Sequence, residues 1–217
     1  MGLVLLRFHF YEMGGGYFLL IEAWAMVLMS INASDPDILS DFILPPNITA
    51  PDGNFFTFIG MRVVVGSKPL PNLKVTKATK AEFSALDGQS VSYAVLQFPS
   101  GGVNPPHTHP RSAELLFLVQ GSLEVGVVDT TGNLYAQTLQ KGDMFVFPKG
   151  LVHYQYNSNA QYPAMALSSF GSASAGTVSV PTTLFTSGIS DEVLAKSSKT
   201  DVATIQKLKA GLAPPKP

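Results

Sequence analysis

Pro105 and Pro106 stand directly before His107-Thr108-His109, and Pro110 directly after it. Proline lacks a backbone N–H, fixes its own φ and pushes the residue before it toward extended geometry, so no helix runs through this stretch. The two histidines are therefore held on extended chain, where residues two apart share a face. Their side chains can reach one ion. A little further on, Glu114 leads the apolar run Leu115 to Val119, which closes at Gly121. A carboxylate at the head of a buried strand is unfavourable unless it is paired or bound to a cation. His153 follows the turn Pro148-Lys149-Gly150, on a segment where Val152, Tyr154 and Tyr156 alternate with His153, Gln155 and Asn157. That period of two reads as a strand.

Taken singly, each of these residues has a plainer reading. An HxH on a strand can be a surface pair, and a lone histidine can be a hydrogen-bonded core residue. Taken together, three imidazoles and one carboxylate, each beside turn prolines and glycines, make a complete set of metal ligands. The remaining histidine, His9, lies in an N-terminal stretch expected to be removed, which leaves every histidine of the mature chain at this site. No activated serine or cysteine nucleophile is apparent, and the glycine-rich signatures of phosphate or dinucleotide binding are missing.

Gly101, His107, His109, Glu114 and Gly121 have the spacing of the first cupin motif, and Gly142, Pro148, Gly150, His153 and Asn157 that of the second, with no position missing. With NPPHTHPRSAE, Lys141-Gly142-Asp143, the SDPDILSDF opening at Ser34 and VPTTLF at Val180 to Phe185, the chain resembles plant germin-like proteins from about Ser34 onward. The resemblance implies an all-β fold, a single cupin (jelly-roll) β-barrel with short C-terminal α-helices. It implies that His107, His109, Glu114 and His153 hold one Mn2+ per subunit, and that the subunits form a homohexamer, a trimer of dimers. Many germins carry a disulfide near the mature N-terminus. This chain has no cysteine and resembles a cysteine-free branch, in which packing, metal and oligomerisation must supply the stability.

A length of 217 residues suits one domain. The expected organisation is a secretory signal peptide over 1–33, an N-terminal arm over 34–54, the cupin barrel over 55–187, and C-terminal helices with a tail over 188–217. The signal is read from the apolar run Tyr17 to Ile31, interrupted by Glu22 and short for a membrane span. Cleavage is expected after Ala33, although Ile31 is large for its place before the cut, and Met13 is an alternative start. In a secreted chain Asn47-Ile48-Thr49 is a glycosylation acceptor. The expected location is the extracellular space, the apoplast and cell wall, with cell-wall components as further partners and no membrane contact once the signal is removed.

Only 13% of the residues are charged. The leader carries one of 14 basic and two of 15 acidic residues, so its removal leaves 13 of each. Nothing in that balance favours nucleic acid or lipid as a partner. Leu115 to Val119 is apolar at both parities, which calls for cover on both faces, from a sandwich core within the subunit or from neighbouring subunits. Strands are expected near Phe55 to Val65, Leu73 to Ala78, Val91 to Phe98, across both motif blocks with a break at Thr130 to Asn133, at Met165 to Phe170 and at Thr177 to Phe185. Two helices follow, one from Ser190 to about Lys196 and one from Thr200-Asp201 with Val202, Ile205 and Leu208 as its stripe and Gly211 as its stop. Their apolar stripe can pack on the chain's own core; the germin resemblance implies instead that they clasp a neighbouring subunit. The tail after Gly211 reads as disordered.

Three neutral imidazoles and a carboxylate leave a divalent ion with net positive charge, and an octahedral ion would keep two positions open to water, superoxide, dioxygen or a carboxylate. Ligand type alone admits iron, zinc, nickel or copper, so manganese rests on the resemblance. The resemblance implies superoxide dismutation, with superoxide as the small-molecule substrate, and a role in plant defence. It disfavours oxalate oxidation, which in germins uses two asparagines near the metal. Asn104 matches one of them, but the other falls on Ala94, which has no amide to donate. Asn104 also reads as a turn residue before Pro105. Two further readings remain: an auxin-like binder or receptor for a small carboxylate, and a structural cell-wall protein without catalysis.

Overall fold

The computed structural model describes residues 5–13, 16–24 and 35–213. They fall into two units, Met1–Asn32 and Ala33–Pro217. In the first, strands β1 (Leu5–Met13) and β2 (Gly16–Trp24) pair antiparallel, with Leu5 opposite Trp24. The cleavage point expected after Ala33 and the last tail residues, 214–217, lie outside the described residues. Among the described residues no helix is long and apolar enough to cross a membrane.

Among the described residues the second unit carries ten strands and then three helices. The strands are β3 (Lys74–Ala78), β4 (Ser92–Phe98), β5 (Val103–Thr108), β6 (Glu114–Gln120), β7 (Ser122–Val128), β8 (Leu134–Gln140), β9 (Met144–Phe147), β10 (Val152–Tyr156), β11 (Ala164–Phe170) and β12 (Val178–Ser179). They form two antiparallel five-stranded sheets, ordered β12-β5-β10-β7-β8 and β3-β4-β11-β6-β9. This is the all-β jelly-roll expected from the motifs. Alternate residues of the two sheets supply its core: Leu96 and Phe98, Leu116 and Leu118, Leu123 and Val125, and Phe147.

Two details of the strands bear on the site. Strand β5 contains Pro105 and Pro106, neither of which can donate to a ladder, and they sit where the β5–β10 pairing breaks register: His153 faces His107, but Gln155 faces Asn104. The irregularity absorbs the two missing donors. Strand β6 buries Glu114, Leu116 and Leu118 inward, while Leu115 and Phe117 remain 43% and 37% exposed. The sandwich core thus covers one face of the doubly apolar run and leaves the other open.

Two segments depart from the strands expected. Phe55 to Val65 forms turns and a 3-10 helix at Gly60–Val63. Asp52 accepts from the Asn54 amide at 2.9 Å, starting a tight turn, and Phe42, Phe55 and Phe56 then pack edge to face. After the short β12 the chain turns into helix α1 (Val180–Thr186), with Pro181 in its first turn. Helices α2 (Asp191–Ser197) and α3 (Val202–Leu212) lie where expected and are capped by Ser190 and Asp201, whose side chains accept from the amides of Val193 and Thr204. Helix α3 continues past Gly211 to Leu212. Leu194, Ala195 and Ile205 bury against Phe185 and Ile189 in a small core of their own, while Val202 and Leu208, the rest of the expected stripe, stay 38% and 43% exposed.

Candidate metal centre

Strand pairing brings the four candidate ligands to one point. His107 lies on β5 and His153 opposite it on β10, with His109 just past the end of β5. Glu114 opens β6 on the facing sheet. Their ligand atoms all lie within 4.8 Å of one another, and none of the four residues is more than 6% exposed. The two walls beside them are aromatic: Phe147 stacks on the His153 ring at 4.4 Å, and Phe170 meets the His109 ring edge-on at 4.8 Å.

Each imidazole is oriented by a backbone carbonyl. His107 Nδ1 lies 2.8 Å from the Pro105 carbonyl oxygen, His153 Nδ1 2.8 Å from that of Leu151, and His109 Nδ1 2.5 Å from that of Gly176. A carbonyl only accepts, so each Nδ1 carries the proton and donates it. Every Nε2 is then free for the centre. Two of the three carbonyls lie two residues before their own histidine, while the third comes from the far side of the chain.

Glu114 is divided between two tasks. Its Oε1 accepts from Ser168 Oγ at 2.5 Å and, at the limit of hydrogen bonding, from Gln155 Nε2 at 3.5 Å. Its Oε2 faces His109 Nε2 at 3.0 Å and His153 Nε2 at 3.2 Å. Burial pushes the Glu114 pKa up, but the neighbouring His109 and His153 rings and the Ser168 hydroxyl outweigh it and hold the pKa down at about 2. Burial, followed by the neighbouring His153, pushes His107 down from 6.5 to about 4. At neutral pH, then, the carboxylate is ionised and His107 is neutral.

This donor set fits a metal cation. With Nδ1–H committed to a carbonyl, a neutral ring turns the lone pair of Nε2 toward the Glu114 oxygen, and that approach is repulsive until a cation lies among them. Three nitrogens and one oxygen suit a divalent transition metal. The centre opens into a cavity of about 300 Å³, lined also by Lys77, Glu82, Tyr93, Ala94, Asn104 and Thr177. Glu82 is turned back onto its own loop, accepting from the amide and hydroxyl of Thr79 at 2.9 and 2.6 Å.

Asn104 reaches this cavity, half-buried, and its amide donates to Gln155 Oε1 at 2.7 Å. Asn47 lies elsewhere, exposed in a turn of the N-terminal arm. Ser168, Gln155 and the carbonyl of Gly176 are the contributors that sequence reasoning missed. Gln155 shares the inward face of β10 with His153 and could have been found by that period; no local signal marks Ser168 or Gly176.

The sequence matches the cupin family over residues 70–206. It is 64% identical over 193 residues to germin-like protein 9-3 of Oryza sativa subsp. japonica, spanning 86% of this chain and 90% of that one. Against germin-like protein 9-1 of the same plant it is 56% identical over 197 residues, 88% of this chain and 78% of that one. Among solved structures it is similar to oxalate oxidase in complex with the substrate analogue glycolate, with a TM-score of 0.73 and 31% identity over 83% of this chain and 98% of that one.

Proposed function

The chain belongs to the germin-like proteins of the cupin family, and on that premise we propose that it is a secreted manganese-binding glycoprotein of the plant apoplast and cell wall that dismutes superoxide. One observation carries the reading: four buried ligand atoms converge within 4.8 Å, with the three imidazoles already turned by backbone carbonyls. His107, His109, Glu114 and His153 would hold one Mn2+ per subunit. Bound there, manganese supplies a one-electron couple, so that two superoxide ions and two protons become one dioxygen and one hydrogen peroxide. The protein's part is to fix the ligands, keep Glu114 ionised and admit a small anion through a cavity of about 300 Å³.

Secretion is supported by the apolar leader, and a glycan by the exposed Asn47. A homohexamer built from dimers is supported by the outward apolar face of β6 and β9. A role in defence would follow from peroxide release outside the cell. Elemental mass spectrometry of the secreted protein, with superoxide consumption on the same sample, tests the proposal. We expect about one manganese per subunit and a turnover that His109→Ala removes; equal consumption by wild type and variant would sink the enzyme reading.

A second reading, an auxin-like binder of a small carboxylate, has its own support in Lys77 and Asn104, both of which line the metal cavity. Oxalate oxidation is disfavoured, because Ala94 in the same wall offers no amide and Asn104 is already bonded to Gln155. Metal-dependent binding of a carboxylate without turnover, measured by calorimetry, would favour the binder. A filled site with neither turnover nor carboxylate binding would favour a structural wall protein.

A further inference from the structure

The wall of the metal cavity between β11 and β12 is Gly171-Ser172-Ala173-Ser174-Ala175-Gly176-Thr177. No side chain in it is large enough to fix its place by packing, and its two glycines raise the entropy lost on ordering it. Yet it carries the Gly176 carbonyl that orients His109, at a left-handed backbone position with φ +72°. Its position must come from hydrogen bonds. The barrel supplies some: the Lys80 amide donates to the Ala173 carbonyl at 2.9 Å, the Ser92 hydroxyl to the Ser172 carbonyl at 2.6 Å, and Arg111 to the Ser174 and Ala175 carbonyls.

All of those bonds engage carbonyls. The donors at Ser172 and Ala173 are taken up from the N-terminal arm, where Asp35 Oδ1 accepts from Ser172 Oγ and Oδ2 from the Ala173 amide, both at 2.6 Å. With the arm in place Ser172 and Ala173 are 0% and 1% exposed, so this carboxylate and not water satisfies their donors. The Ser172 oxygen in turn accepts from the Ser174 amide at 3.0 Å, passing the constraint one step nearer Gly176. Backbone carbonyls behind metal-bound histidines hold the ring's tautomer and direction, so whatever fixes Gly176 acts on the metal.

We infer that Asp35 is a positioning residue of the metal centre, latching the 171–177 wall so that the Gly176 carbonyl holds His109 in place. The inference rests on the four-ligand metal site and not on dismutase activity. Hydrogen exchange of the metal-free protein and the rate of manganese release to a chelator test it together. In Asp35→Asn the carboxylate and one acceptor are lost. We expect faster exchange across 171–177 and release about ten-fold faster. Gln89→Ala, which frees the same arm at the Asp41 carbonyl, should change neither. Ser172→Ala breaks one of the two latch bonds and the relay to the Ser174 amide while keeping the charge, and should shift both readouts in the same direction, which keeps the test open if Asp35→Asn fails to fold. Unchanged exchange in 171–177, unchanged release, or an equal effect of Gln89→Ala would overturn the inference. A wild type that holds no metal but still shows the exchange difference would leave the latch standing and overturn the metal site.

Discussion

Ser168 and His107 show how single residues prepare the centre. The Ser168 hydroxyl, 0% exposed, bonds the Glu114 oxygen turned away from the histidines. Ser168→Ala leaves that oxygen with only the long contact to Gln155. Outer partners of this kind change metal affinity by roughly 10–100-fold, and competition with a chelator should find manganese at least ten-fold weaker. His107 resists protonation in the fold down to about 4, whereas the unfolded chain takes a proton near 6.5. Between those values the unfolded state binds more protons, so the stability of the metal-free protein falls as pH falls from 6.5 to 4, by about 3 kcal/mol in all. Glu114, depressed to about 2, adds a further loss below its ordinary 4.5. Urea unfolding of metal-free protein at pH 7, 5.5 and 4 measures this, and a flat profile would contradict it. A saturating divalent metal that fills the site should shift the whole profile upward, since the unfolded chain lacks the assembled ligands.

At the scale of elements, the turn between β6 and β7 packs closely against the backbone before β11. Gly121 has φ +82°, and a Cβ there would lie 2.7 Å from the Pro163 carbonyl oxygen. Gly132, between β7 and β8, has φ +87° with nothing within 4 Å. Gly132→Ala should lose about 1 kcal/mol, the backbone cost alone; Gly121→Ala should lose at least twice that, and similar midpoints in urea for the two would show that the close approach relaxes freely. Strands of this barrel were legible where turn residues and a clean period coincide, as at Ser92–Phe98, Glu114–Gln120 and Val152–Tyr156. They were misread where residues suited to strands meet another constraint. Val180 to Thr186 is rich in β-branched and aromatic residues, but Pro181 begins a helix whose Phe185 reaches the Leu194–Ile205 core. Phe55 to Val65 is aromatic too, yet its rings serve a local cluster. The ligands were legible because proline and period fixed their faces. Ser168 and Gly176 were not, since each acts across a separation of 54 or 67 residues that only the closed barrel spans.

For the molecule as a whole, the outward face of β6 and β9 pairs Leu115 with Val146 and Phe117 with Met144, four apolar side chains from 37% to 57% exposed. A face of this kind suits a second copy of the chain. Phe117→Lys should reduce the particle mass seen by light scattering while metal content persists, because the ligands lie on the opposite side of the sheet. An unchanged mass would rule this face out as a subunit contact. The latch between Asp35 and Ala173 spans 138 residues. During synthesis Asp35 is made early, but its partners, like the Gly176 carbonyl, are made only after His107, His109, Glu114 and His153 have all been added. A partly synthesised chain can therefore carry every ligand and still lack the geometry that holds them. Metal loading belongs to the completed chain, and the ion acquired is governed by what is available where the barrel closes, rather than by what surrounds the ribosome.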